Sequence, residues 1–300
     1  MRQEVLNVYP DAKLTDGSRR LGEAEVIEFL NDCDAAIVGF EPVTERVLAA
    51  LPKLKIISKY GNGCESIDFH AMKRHKVRFG YTWGVNKLVV AELTICFMLA
   101  GLRWIMPLNL AMRAGERPHY RNGRFLTGRV VGIHGCGSIG KDVVRLLAPF
   151  GCEIIACDIK DYADFYRQHH VTPVSFDELL VRSEVLTLHL PKTSQTLGLY
   201  SRAVMEKLRP DCVLINTCRG GIVDEDALLE RLDSGALTAA CFDVFAVEPA
   251  VNDRLLRHPN MLATPHIGAS TEETRLILVR AAVRGLTENG LVDPAEFYAE

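Results

Sequence analysis

The sequence lacks four things: an excess of positive charge, a long apolar run, paired cysteine motifs and any internal repeat. Lysine and arginine total 35 against 38 acidic residues, a net charge of −3. That balance gives no electrostatic footing for nucleic acid or for an anionic membrane surface. The most apolar segment, 88–102, is interrupted by Glu92. It falls short of the ~18–20 residues that span a bilayer, so it reads as a buried helix. The opening Met1-Arg-Gln-Glu-Val-Leu-Asn has no signal-peptide core. Nine cysteines is an odd number, and none forms Cys-x-x-Cys. Several sit inside apolar runs and read as small buried hydrophobes in a reducing compartment, hence the cytoplasm. No metal-ligand spacing is present, and the pair His169-His170 reads as solvated.

What is there centres on residues 129–158. An apolar run, 130–133, reads as a buried parallel strand. Gly135, Gly137 and Gly140 follow at Gly-x-Gly-x-x-Gly spacing, then an amphipathic helix, then a second apolar run ending at Asp158. Gly135 permits the tight turn, Gly137 lets a pyrophosphate approach the backbone, and Gly140 lets the helix pack closely. The N–H groups around Ser138 and Ile139 face the phosphates at the positive end of the helix dipole. Asp158, 18 residues after Gly140, accepts from the ribose hydroxyls and repels a ribose phosphate, which favours NAD over NADP. The plain alternative is a tight strand-to-helix turn with nothing bound.

Strand and helix patterns alternate along the chain. Strands are expected at 35–38, 54–58 and 77–79, with helices at 23–30, 44–51 and 68–74. The apolar helix 88–102 is ended or kinked by Pro107, and 117–128 reads as a loop. After Asp158 a polar connection leads to a capping box, Ser175-Phe-Asp-Glu178, that opens a helix. Strands follow at 185–190, 212–217, 237–242 and 261–264. A second capping box, Ser270-Thr-Glu-Glu273, opens a helix with Leu276, Val279, Val283 and Leu286 on its inner stripe. Such alternation implies parallel sheets covered by helices, and three hundred residues suggest two domains.

Ligands of such sheets bind beyond the carboxyl ends of the strands. Arg219, after an apolar strand and before Gly220-Gly221, suits a carboxylate or keto oxygen. His266 suits proton exchange near neutral pH, with Glu248 on its other ring nitrogen. Taken singly, each has a bland alternative: a surface salt bridge, a core histidine and a helix cap.

Three segments carry a resemblance: Leu214-Ile-Asn-Thr-Cys-Arg-Gly220-Gly-Ile-Val-Asp-Glu-Asp-Ala-Leu228, Phe242-Asp-Val-Phe-Ala-Val-Glu-Pro249 and Thr264-Pro-His-Ile-Gly-Ala-Ser270. Together they resemble the signatures of the D-isomer-specific 2-hydroxyacid dehydrogenases, in the phosphoglycerate dehydrogenase-like subgroup. The resemblance implies a Rossmann-type doubly wound parallel sheet over 83–267. It also implies a smaller flavodoxin-like α/β substrate domain over 1–82 plus 268–300, its first strand absent or altered. It implies hydride transfer between NAD(H) and a small 2-hydroxy or 2-keto acid of the phosphoglycerate, hydroxypyruvate or glyoxylate kind. An NAD(H)-sensing protein without turnover, or oxidation of another small anion, stays open beside it.

By the same resemblance Arg219, Glu248 and His266 are catalytic. Gly61, Asn62 and Gly63 bind the substrate carboxylate with Arg219 and His266. Asp243, Thr217, Cys218, His189, Pro191, Thr196, His266 and Gly268 line the cofactor. The helix over 88–102 makes a homodimer. Where the family pattern carries Asp-Asn at 65–66, this chain has Glu65-Ser66. No regulatory domain is expected after Glu300.

Overall fold

Among the described residues ten short strands pair in parallel, most of them from apolar runs, and they sort into two separate sheets. The computed structural model describes residues 2–17, 19–118 and 122–297. The chain divides into one unit of Met1–Asn86 with Ser270–Glu300 and another of Lys87–Ala269.

In the first unit, β1 (Ala35–Val38), β2 (Ile56–Lys59) and β3 (Arg78–Gly80) pair in parallel in that order, and Gly290–Leu291 adds an antiparallel edge to β3. Ile57 faces a core built with Val26, Leu48, Met72 and Phe79. Ser58 points the other way, and its hydroxyl donates to the Ala282 carbonyl at 2.6 Å. The helix Glu272–Gly285 lies on that face at close range. A Cβ at Gly80 would stand 2.1 Å from the Gly285 carbonyl oxygen. This contact corrects two readings. The helix is capped by Thr271, which accepts from Thr274 N–H, rather than by Ser270. Its buried face runs through Thr274, Leu278, Val279, Ala281, Ala282 and Gly285, so Val279 lies inside as expected while Leu276 is exposed. Gly285 sets the close approach at the end of the helix, where no large side chain would fit.

In the second unit come β4 (Val130–His134), β5 (Glu153–Cys157), β6 (Val171–Pro173), β7 (Val185–Leu188), β8 (Val213–Asn216), β9 (Ala239–Phe242) and β10 (Met261–Ala263). Their order across the sheet is β10-β9-β8-β7-β4-β5-β6, with every pairing parallel. The chain winds outward from β4 in one direction and from β7 in the other. The switch point therefore lies between β4 and β7, where such sheets open a crevice. Strands β7, β8 and β9 are buried throughout because helices cover both faces. Leu186 and Leu214 join one core layer, and Val185 and Ile215 the other.

Three local readings need correction. The connection after Asp158 holds a helix, Ala163–His169, and the edge strand β6. Both are too short to show periodicity, and Pro173 is tolerated because β6 has a free edge. The apolar helix Lys87–Leu102 breaks at Trp104, in the left-handed region at φ 57°, and not at Pro107. The next helix, Ile105–Arg113, is bent 68° from it and carries Pro107 in its first turn, where no N–H is needed. The short helices Arg2–Leu6 and Asp253–Arg257 were not legible as pattern. Among the described residues no single helix is long and apolar enough to cross a membrane. Of the loop expected over 117–128, residues 119–121 lie outside the described residues.

Candidate functional site

The turn after β4 is built by its glycines. Gly135 has φ 91°, and a Cβ there would sit 2.5 Å from the carbonyl oxygen of His189 at the end of β7. A Cβ at Gly140 would meet the Gly135 carbonyl oxygen at 2.3 Å, so the helix Ser138–Leu147 lies directly on the turn. A Cβ at Gly137 would meet nothing within 4 Å. Gly137 is the helix N-cap and has no side chain to offer. Helix geometry leaves the N–H groups of Ser138, Ile139 and Gly140 without intrahelical acceptors, facing that open space. The combination fits a dinucleotide pyrophosphate.

Asp158 follows β5 and does more than its sequence position suggested. One carboxylate oxygen accepts from Cys136 N–H at 2.6 Å and the other from Lys160 N–H at 2.8 Å. It therefore fastens the glycine turn to the end of β5 as well as presenting a charge where a ribose would lie. Cys136, inside the turn, is a buried thiol that burial pushes up to about 11, so it stays protonated and unreactive.

Two histidines flank the switch point. His134 ends β4, buried, with Nδ1 2.7 Å from the Tyr200 hydroxyl. Burial pushes it down to about 4, against an opposing pull from Asp158. His189 Nε2 lies 3.1 Å from the Thr187 hydroxyl, and burial pushes this imidazole down to about 3. Its Nδ1 is buried with no partner among the described residues, an orphaned polar atom at the mouth of the crevice. Such an atom costs stability unless something reaches it, which adds to the fit for a bound cofactor.

Both rings are neutral in the fold, while an unfolded imidazole takes a proton below about 6.5. Their folded-state pKa values are depressed, so this stability is present above about 6.5 and is lost as the pH falls toward about 4. The urea midpoint should therefore drop between about pH 7.5 and about pH 5. The drop should be smaller in His134→Phe, and equal slopes in the two proteins would contradict the assignment.

The other candidates gather beyond β8, β9 and β10, three neighbouring strands. Asn216, buried at the end of β8, shapes the turn that carries Arg219. Its Nδ2 donates to the Arg219 carbonyl at 3.0 Å, and its Oδ1 accepts from Cys218 N–H at 3.1 Å. Sequence reasoning missed Asn216, although a polar residue closing a wholly apolar strand was the available signal. The Arg219 guanidinium is partly exposed and donates to the Cys218 carbonyl at 2.8 Å. Gly220 lies so close to the backbone of Phe245 that a Cβ would overlap its carbonyl. The turn of Arg219 and the loop holding Glu248 are thereby packed together.

His266, beyond β10, sits in the left-handed region at φ 56°. Its Nδ1 lies 2.7 Å from Glu248 Oε2, and the other Glu248 oxygen accepts from Phe245 N–H at 3.1 Å. The two side chains are 46% and 38% exposed, open enough to meet a ligand. Asp243 holds the unusual backbone. Buried at the end of β9, it accepts from the Thr264 hydroxyl and, at 2.7 Å each, from the N–H groups of Ile267 and Gly268. Its own carbonyl accepts from His266 N–H at 2.8 Å. Asp243 thus braces the histidine turn, and the Gly268 N–H is engaged by its carboxylate.

The remaining assigned residues are also engaged within the protein. The Thr217 hydroxyl lies 3.0 Å from that of Thr94, and Cys218 Sγ donates to Asn216 Oδ1 at 3.1 Å. The Thr196 hydroxyl donates to the Pro191 carbonyl at 2.6 Å and accepts from Thr193 N–H at 2.8 Å. Gly61, Asn62 and Gly63 belong to the first unit. Gly61 has φ 94°, the Asn62 carbonyl accepts from the Tyr81 hydroxyl at 2.9 Å, and the Asn62 side chain pairs with Asn86. No group of three or more His, Cys, Asp or Glu among the described residues is arranged to hold a metal ion.

Comparison with known proteins follows the same lines. The model of the family described as D-isomer specific 2-hydroxyacid dehydrogenase, NAD binding domain, matches residues 95–268. The chain is similar to a hydroxypyruvate reductase of Thermotoga maritima, 34% identical over 264 residues, covering 86% of this chain and 85% of the relative. It is also 34% identical over 268 residues to a D-3-phosphoglycerate dehydrogenase of Mycobacterium leprae. That match covers 88% of this chain and 50% of the relative, so the chain spans about half of that protein's length. Among solved structures, a glyoxylate reductase from Paecilomyes thermophila is similar at a TM-score of 0.82 and 28% identity, covering 90% of this chain and 86% of that one.

Proposed function

The chain belongs to the D-isomer specific 2-hydroxyacid dehydrogenases, and on that premise we propose that it interconverts a small D-2-hydroxy acid and its 2-keto acid with NAD(H). The observation that carries the reading is the 2.7 Å pairing of His266 Nδ1 with Glu248. A carboxylate on Nδ1 holds the proton there and leaves Nε2 as the basic nitrogen. His266 Nε2 takes the proton of the substrate hydroxyl, and Glu248 stabilises the imidazolium that results. In the reverse direction the imidazolium returns that proton to the keto oxygen. Arg219 presents a planar pair of donors to the carboxylate and to the oxygen that gains negative charge. Bound NAD would supply the hydride acceptor for the hydroxyl-bearing carbon. The open space at Gly137, the N–H groups of Ser138, Ile139 and Gly140 and the Asp158 carboxylate would hold it in place.

Gly61, Asn62 and Gly63 keep a separate assignment as carboxylate binders through backbone N–H groups. The three relatives carry names for phosphoglycerate, hydroxypyruvate and glyoxylate chemistry, which points to 2-keto acids with a small substituent. A panel of such acids with NADH, followed at the nicotinamide absorbance, tests the reading. Turnover on at least one is expected. Tight NADH binding without turnover on any would replace the enzyme with an NAD(H)-binding protein.

Asp158→Asn keeps a carbonyl acceptor for the turn and removes the charge. The ratio of NADH to NADPH affinity should fall by about tenfold or more. An unchanged ratio by fluorescence titration would discredit the ribose assignment.

The assembly proposed is a homodimer through the helix Lys87–Leu102 and its continuation, where Leu88, Leu99, Ile105 and Met112 are exposed. Leu99→Glu should shift the mass in solution from dimer to monomer, and a monomeric parent protein would refute this. Cytoplasmic residence is proposed from nine unpaired cysteines, four of them buried.

A further inference from the structure

The loop over Gly61, Asn62 and Gly63 follows β2 in the first unit. The N–H groups of Gly61 and Gly63 meet no acceptor among the described residues. A trans peptide is planar, and its C=O and N–H point in opposite directions. Whatever holds the Tyr60 carbonyl therefore aims the Gly61 N–H, and whatever holds the Asn62 carbonyl aims the Gly63 N–H. Both carbonyls are held by side chains. Lys59 Nζ donates to the Tyr60 carbonyl at 2.8 Å, and the Tyr81 hydroxyl donates to the Asn62 carbonyl at 2.9 Å. The Asn62 side chain, paired with Asn86, fixes the same residue a second time.

Tyr81 is itself held in place. It follows β3 and lies half-buried in a cluster of rings. Its ring stacks on Phe79, with centroids 5.5 Å apart and planes at 15°. Trp83 meets it edge-on at 4.7 Å, and Phe297 does so at 6.0 Å. Phe297 stacks in turn on Phe69 at 4.1 Å and on Trp83 at 5.3 Å. Rings packed from several sides have one rotamer open to them, which gives the hydroxyl a fixed place. Packing alone would be served by phenylalanine, so the hydroxyl is what ties this cluster to the loop.

We infer that Tyr81 is a positioning residue: its hydroxyl, framed by Phe79, Trp83 and Phe297, turns the Gly63 N–H outward to receive the substrate carboxylate. A donor aimed in advance spares the ligand the cost of ordering the loop. The inference rests on the reading of Gly61, Asn62 and Gly63 as carboxylate binders, and Tyr81 acts through their backbone.

The test uses the full chain saturated with NADH and titrated with oxalate by calorimetry. Oxalate is unreactive, and its carboxylate beside a carbonyl oxygen matches a 2-keto acid. The parent protein should bind it saturably. Tyr81→Phe keeps the ring and frees the Asn62 carbonyl. It should weaken oxalate by about 3–10-fold and leave NADH affinity within about twofold. With a 2-keto acid that turns over, KM should rise by the same factor at nearly constant kcat, the mark of lost uniform binding. Phe297→Leu loosens the frame and keeps the hydroxyl, so it should weaken oxalate less. The double variant should bind no more weakly than Tyr81→Phe alone, because both changes act through one hydrogen bond. Unchanged oxalate affinity in Tyr81→Phe, with or without a lowered melting temperature, would make the hydroxyl purely structural and overturn the inference while the carboxylate reading of the loop stands. Additive losses in the double variant would assign the effect to ring packing and overturn it too. No oxalate binding by the parent would overturn the reading of the loop and the inference together.

Discussion

His266→Asn should lower kcat by about 10²–10⁴-fold in both directions, the usual contribution of a positioned acid–base group. Asparagine is the informative replacement. Residue 266 has φ 56°, and asparagine enters that region more readily than other non-glycine residues. The turn braced by Asp243 should therefore survive, and NADH affinity should stay within about threefold of the parent. Loss of turnover with intact NADH binding, by steady-state kinetics beside fluorescence titration, would assign the chemistry to the imidazole. A variant with full activity would mean that another group moves the proton.

The second large effect separates two glycines three residues apart. Gly137 has extended backbone, φ −71° and ψ −150°, and open space where a Cβ would be. Gly137→Val should leave the melting temperature nearly unchanged and weaken NADH binding by about 100-fold, because the side chain fills the place of a pyrophosphate. Gly140 has no such room, since a Cβ there would stand 2.3 Å from the Gly135 carbonyl oxygen. Gly140→Val should weaken NADH binding and also destabilise the unit by about 1–3 kcal/mol, the ordinary cost of overpacking. Thermal melts with and without NADH distinguish the two. Equal loss of stability in both variants would show that the open space at Gly137 has no bearing on ligand binding.

Much of the architecture was legible because it follows from long-range rules with local signatures. Apolar runs bounded by turns gave β4, β7, β8 and β9, which are buried on both faces and need no alternation. Thr44, Asp68 and Ser175 each accept an N–H from the first turn of their helices, and each stood at the start of an expected helix. What escaped depended on contacts between distant residues. The inner face of the helix Glu272–Gly285 follows from the approach of Gly285 to Gly80 and Ser58, which no periodicity displays. The break at Trp104 is a left-handed residue that is not glycine, whereas Pro107 was the visible breaker.

The candidate site divides in the same way. Glycine spacing and the position of Asp158 can be read along the chain because one supersecondary unit contains them. The pairing of Glu248 with His266 was expected from their places after neighbouring strands. The bracing of His266 by Asp243 was not, because it requires knowing that a carboxylate ending β9 meets three donors of the turn after β10. The tie between Asn216 and the carbonyl of Arg219 was hidden for the same reason.

The central claim is that hydride passes directly between the cofactor and the carbon bearing the substrate oxygen, on one face only. The most direct measurement is to supply NADH doubly deuterated at C4 with a 2-keto acid that turns over, and to examine the product by NMR and chiral chromatography. Deuterium at C2 of the D-hydroxy acid is the expected result. A product with no deuterium at C2, or one of L configuration, would contradict it.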